Sequence, residues 1–346
     1  MPQIIQQFTP QGGKHCITAS LKQIFAYYGH PLSEEMLFGL GEGLDFTYIN
    51  LAAAPMVSGR AGISGFEETL SERLGIAIRV RQSKDSRRAA DQAKRMIDSG
   101  HPVLVYTDMP YLDYLSMPAD SHFGGHSIVI FGYDDEQAVF YVSDRDHSDH
   151  PIRTPHGPVG EDYHLLSYDR MEMARSSRHR PFPANNKYLK IDFAGYQGIT
   201  ADMLRSSIQA TCKKMLHPGA NLKGISGIAK FAKEIRKWQR FEPDQQKRAG
   251  ATNYFQIHAD GGTGGGIFRR MFGGYLLEAS AVMKDPQAAQ IGHGFIDLSM
   301  KWDLIAESMW QLHQTGSTAL LDEMSGYIAE NCRIETELLE SLDKIV

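Results

Sequence analysis

The chain changes character once, near Gly195, and that change limits the fold more than any other feature. Before it, short β-branched and aromatic runs at 45–49, 76–80, 101–106, 126–134, 138–144 and 188–193 alternate with glycine breaks and brief helical patterns. After it, strand-type runs vanish. Apolar residues instead recur at spacings of three and four, as in Met203, Leu204, Ile208, Cys212, Met215 and Leu216. The stretches 201–216, 225–241, 266–283, 288–313 and 318–342 read as helices. A chain of 346 residues exceeds what one hydrophobic core ordinarily serves. The expected architecture is an α/β module over residues 1–195 followed by an α-helical module over 196–346.

Within the first module, one stretch points to chemistry. Gly12 and Gly13 break regular structure, and from Ile17 onward Ile17, Leu21, Ile24, Phe25 and Tyr28 mark one helix face. Cys16 therefore falls in a first helical turn, where unpaired N–H groups and the helix dipole favour a thiolate. A buried cysteine packing as a small apolar residue is the plainer alternative. Further on, Gly124-Gly125 leads into a β-branched strand that opens with His126, and a second strand ends at Asp144. In an antiparallel hairpin the start of one strand lies beside the end of the next, so His126 and Asp144 are expected to be neighbours. Cysteine, histidine and carboxylate in these roles make a nucleophile, a base and an orienting group for acyl transfer.

Several neighbouring residues could support that trio. An oxyanion hole needs a donor besides the Cys16 backbone N–H, and Gln11 is the candidate. His15, adjacent to Cys16, points off its face and is a supporting group. Glu42 in Gly39-Leu40-Gly41-Glu42-Gly43 could meet a cationic amine, against a plain surface or capping role, and Tyr48 on the next strand is the other substrate-side candidate. His147, His150, His156 and His164 lack fixed ligand spacing, so neither a metal nor a cofactor is expected. Arg269-Arg270 after the glycine-rich 261–266 loop reads as a solvated face, or else a phosphate or acidic-partner contact. No Gly-Lys-Ser/Thr follows that loop, which excludes a nucleotide P-loop.

The formal net charge of -5 supplies no basic field for nucleic acid. Three scattered cysteines argue against a disulfide framework. The N-terminus lacks a basic segment followed by an apolar run, and no apolar run reaches the about 18–20 residues of a membrane span. A cytoplasmic protein is the expectation. Oligomeric state is left open.

Lys14-His15-Cys16, the run from Gly29-His30-Pro31-Leu32-Ser33-Glu34-Glu35-Met36 to Gly41-Glu42-Gly43, Gly124-Gly125-His126 and Ser143-Asp144-Arg145-Asp146 together resemble the N-terminal domain of the butirosin biosynthesis protein H family. The helical half, with Gly274-Tyr275 and the Trp302 to Trp310 helix, resembles the C-terminal domain that accompanies it. The resemblance implies a papain-like cysteine-hydrolase-type fold that transfers an acyl group from an acyl carrier protein to a small amine acceptor. The phosphopantetheine arm would arrive on the carrier. By position Cys16 would accept the acyl group, His126 act as base and Asp144 complete the triad. A papain-like peptidase or amidase using the same residues with water, and a binding protein on a dead hydrolase fold, are the alternatives.

Overall fold

The computed structural model describes residues 1–50 and 54–346. In chain order the elements are β1 (Gln3–Ile4), α1 (Cys16–Tyr27), α2 (Glu34–Leu40), β2 (Leu44–Ile49), β3 (Met56–Arg60), α3 (Ile63–Leu74), β4 (Ala77–Gln82), α4 (Ser86–Asp98) and β5 (Val103–Thr107). There follow β6 (His126–Asp134), β7 (Val139–Ser143), β8 (Ile152–Thr154), β9 (Gly157–Val159), β10 (His164–Ser167), α5 (Tyr168–Ser176) and β11 (Lys187–Asp192). The remainder is helical: α6 (Ala201–Leu216), α7 (Gly224–Glu234), α8 (Pro243–Ile257), α9 (Arg269–Met283), α10 (Pro286–Thr315) and α11 (Leu320–Asp343).

The chain forms two compact units. One comprises Met1–Leu37 and Gly75–Tyr196, the other Phe38–Leu74 and Gln197–Val346. The expected division into 1–195 and 196–346 thus falls within a residue of the observed late break, but residues 38–74 belong with the helical unit. Their bonds explain why. β2 and β3 pair with each other in a ribbon of their own. The Tyr48 backbone N–H donates to the Leu222 carbonyl at 2.8 Å. Asn253 of α8 accepts from the Val57 N–H and donates to the Pro55 carbonyl, each at 2.9 Å. No sequence pattern announces partners so far along the chain.

The first unit is built on an antiparallel sheet ordered β10-β7-β6-β5-β11-β4, with β1 pairing on the far end of β6. Every residue of β6 is buried, as expected of a strand covered on both faces. Helices α1, α4 and α5 pack on this sheet. Residues 188–193 supply β11, which lies between β5 and β4, and the exposed side chains of β4 mark the sheet edge. Within residues 145–183, β10 adds a further strand beside β7.

The helical unit contains the five expected helical stretches, the second ending in a 3-10 turn at Ile235–Arg240, and adds α8. The glycines at 39, 41 and 43 serve close approach. A Cβ there would overlap the rings of Tyr275, Phe66 and Phe38 respectively. Positive φ falls on Glu42 instead. Arg269 is not on a solvated face. It is fully buried, its guanidinium bonded to Glu335 at 2.7 and 3.1 Å and lying over the rings of Phe46 and Trp302. Arg270 pairs with Asp303 at 2.9 Å. Both guanidinium groups are thereby held by carboxylates of their own unit.

Candidate active site

Cys16 is the first residue of α1, and His15 is its N-cap in extended conformation, with no side-chain cap of its own. The cap comes from elsewhere. The Glu34 carboxylate, buried at the start of α2, accepts from the Lys14 N–H at 2.7 Å, the His15 N–H at 3.2 Å and the Thr18 hydroxyl at 2.9 Å. A negative group at this position satisfies donors that the first turn leaves open and complements the helix dipole. Gly13 is required for it, because a Cβ there would meet both Ala19 and the Glu34 carboxylate. The Gly13 N–H also donates to the Arg145 carbonyl at 2.7 Å, tying the segment before the cysteine to the residue after Asp144.

A second device fixes the helix against the sheet. Gln23 on α1 accepts from the Ser143 hydroxyl at 2.7 Å and from the Gln11 N–H at 3.2 Å, while Ser20 and Ser127 share a hydrogen bond at 3.3 Å. Buried polar groups that find partners in this way restrict the packing to one register. Neither Glu34 nor Gln23 stood out in the sequence as part of the site. Glu34 followed a serine at a helix start and read as an ordinary first-turn acid, and Gln23 lay in an amphipathic pattern.

His126 opens β6, where it pairs in register with Thr107 of β5. Its Nε2 lies 2.7 and 3.0 Å from the two oxygens of Asp144, directly beyond the end of β7. The Cys16 thiol hydrogen-bonds the same ring. Since Asp144 occupies Nε2, Nδ1 is the nitrogen left for the sulfur. The three groups are nearly covered, with relative exposures of 8% for Cys16, 3% for His126 and 2% for Asp144. Burial works against a charged imidazole. The Asp144 carboxylate and its hydrogen bonds outweigh it, and with Cys16 they push His126 up to about 10. Burial likewise opposes ionisation of Asp144, yet its carboxyl is held below the usual range by His126, the Arg145 N–H and the Tyr114 hydroxyl. That hydroxyl donates at 2.9 Å. A carboxylate on one side of the ring and a sulfur on the other is the setting in which an imidazolium can support a thiolate.

The remaining candidates are placed as follows. The backbone of Gln11 bonds Gln23, and Gln11 lines a surface cavity of about 500 Å³ with Lys22, His147, Asp149 and His150. His15 is buried beside Cys16, its N–H taken by Glu34. Glu42 forms an ion pair with Arg73, and its carbonyl accepts from Lys214 at 2.6 Å. Tyr48 is a core side chain of the helical unit, packed on Phe231 with ring centroids 5.5 Å apart. Burial pushes its phenol up. Cys212 and Cys332 are buried thiols raised by that burial to about 12 and about 11, as expected of cysteines that only pack.

Of the loop histidines, His147 pairs with Asp149 at 2.6 Å and lies 3.4 Å from Asp162. His164 on β10 is buried, with Nε2 at 2.8 and 3.0 Å from Asp146. Its ring stacks on that of Tyr114, centroids 3.8 Å apart and planes 3° from parallel. Among the described residues, no helix is long and apolar enough to cross a membrane.

Residues 15–145 match the family model of butirosin biosynthesis protein H, N-terminal, and residues 169–342 match that of a domain of unknown function, DUF4872. No curated protein matches the chain. The first match takes in Cys16, His126 and Asp144, and the two together cover most of the sequence. The chain belongs to the butirosin biosynthesis protein H family, which takes its name from a protein of antibiotic biosynthesis.

Proposed function

We propose that this protein is a cysteine-dependent acyltransferase of natural-product biosynthesis that forms an amide from a carrier-bound thioester and an amine. The observation that carries this reading is the bonded line from the Cys16 sulfur through the His126 ring to the Asp144 carboxylate. The Cys16 thiolate attacks the thioester carbonyl of the acyl group on a phosphopantetheine arm. The carrier's sulfur leaves and takes the proton that His126 holds, giving acyl-Cys16. An amine then attacks this second thioester. His126, now neutral, accepts the amine's proton as the amide forms, and the Cys16 thiolate is released beside the imidazolium. Asp144 keeps the ring oriented and stabilises its charge in both halves. A papain-like fold, an acyl carrier protein as donor and a small amine as acceptor are parts of this proposal, supported by the family and by the chemistry of the trio.

The test is intact-mass analysis of the full-length protein with acyl-loaded carrier protein. An acyl adduct is expected on the wild type, absent from Cys16→Ala, and discharged as an amide when an amine is added. Discharge to water at the same rate without any amine would convert the reading to a hydrolase, acting here as a thioesterase. No adduct with a panel of acyl carriers, while iodoacetamide still labels Cys16, would overturn acyl transfer.

A further inference from the structure

Asp108, His122 and His179 converge from three separate segments of the first unit. Asp108 directly follows β5, His122 lies in the loop before β6, and His179 follows α5. One donor atom from each lies within 4.8 Å of the others. We propose that these three side chains bind one divalent transition-metal ion of the zinc type.

The Asp108 carboxylate is fully buried and tightly oriented. One oxygen accepts from the Phe123 N–H at 2.7 Å. The other accepts from the Ser177 hydroxyl at 2.5 Å and lies 2.9 Å from His122 Nδ1. Outer donors that hold a ligating carboxylate in one orientation are the usual support of a metal site. A clasp between loops would be complete with Phe123, Ser177 and His122. His179 adds a second imidazole and makes none of those bonds. Its ring lies face to face with that of His122, centroids 3.4 Å apart and planes 4° from parallel. Of the three, Asp108 is buried, His122 half-buried and His179 exposed, so an ion reaches the site from solvent on the His179 side. Binding swings the exposed His179 out of the stack, so that its nitrogen comes to about 2.0–2.1 Å from the metal.

Two imidazole nitrogens and one carboxylate oxygen select zinc, cobalt or nickel over magnesium or calcium, which take oxygen ligands. Three protein ligands leave a fourth position open. No short-range motif marks this site, because its ligands come from positions 108, 122 and 179 with no fixed short spacing. It is independent of the acyl-transfer reading, although Asp108 stands one residue beyond the partner of His126 in the sheet.

The full-length protein, stripped with a chelator, is titrated with Zn²⁺ against a chromophoric competitor and with Co²⁺ by visible absorption. One ion per chain is expected, with a Co²⁺ spectrum free of sulfur-to-metal charge transfer. His179→Ala removes an exposed side chain and His122→Ala a half-buried one. Each is expected to weaken binding by about tenfold to a hundredfold or more. Cys16→Ser, which removes the thiol beside His126, and His147→Ala, which removes the His147–Asp149 pair, are expected to bind as the wild type does. Absence of binding at micromolar Zn²⁺, unchanged affinity in His179→Ala, or loss of binding in Cys16→Ser would each overturn the proposal.

Discussion

Two buried histidine–aspartate pairs lie in the first unit with nearly the same geometry. His126 meets Asp144 through Nε2 at 2.7 Å, and His164 meets Asp146 through Nε2 at 2.8 Å. Tyr114 touches both, donating its hydroxyl to Asp144 while its ring stacks on His164. The pairs differ in what lies against the rest of the ring. A sulfur faces His126, whereas an aromatic ring covers His164. A carboxylate behind an imidazole is therefore no sign of catalysis by itself. Under the proposed function the same pair serves as a base where a sulfur lies against it, and as a packing element where a tyrosine ring does.

The largest expected difference is chemical. His126→Ala should slow alkylation of Cys16 by iodoacetamide at pH 6–7 by about 10²–10⁴-fold, the usual contribution of a positioned base. His164→Ala should leave that rate within about threefold, since it touches the sulfur's partner only through Tyr114. Equal losses in both variants would erase the distinction.

A second test sharpens the comparison through pH. The folded-state value of His126 is raised, so its stabilising charge is fully present below the ordinary histidine value of about 6.5. That contribution is lost as pH rises through about 10. Asp144 runs the other way. Its lowered value adds stability above the ordinary carboxylate range, which is lost as acid protonates it. Urea unfolding of the wild type and of His126→Gln between pH 6 and pH 10 should show a larger decline for the wild type. Parallel curves would mean that the imidazolium contributes nothing.

The smallest effect concerns the residue the pairs share. Tyr114→Phe removes a hydrogen bond to a buried carboxylate but keeps the stacked ring. It should cost about 1.5–3 kcal/mol in urea melts, with alkylation of Cys16 slowed by less than about tenfold. A variant as slow as His126→Ala would promote Tyr114 from support to necessity.

Much of this arrangement was legible in the sequence because it is local. The glycine pair, the period of α1 and the β6–β7 hairpin are each local patterns, the last placing His126 and Asp144 only 18 positions apart, and together they brought Cys16, His126 and Asp144 forward. What escaped depends on distant partners. Glu34 read as a first-turn acid of its own helix, yet its carboxylate caps α1. Tyr48 sat in a plausible strand, but its ring is buried on Phe231. Arg269 looked solvated because its counter-ion, Glu335, comes 66 residues later. Helix α8 was missed because its apolar stripe is interrupted by charged residues and Gly250.

The interruption of the first unit by residues 38–74 bears on how the protein is made. A ribosome delivers this ribbon and helix well before Gln197–Val346, the segment that gives them their neighbours. Phe46, Tyr48 and Val57, all buried in the finished molecule, must therefore wait on the nascent chain without their final covering. Cutting the gene after the first family match would strand them permanently. The two halves named separately by sequence comparison are bound into one job of synthesis.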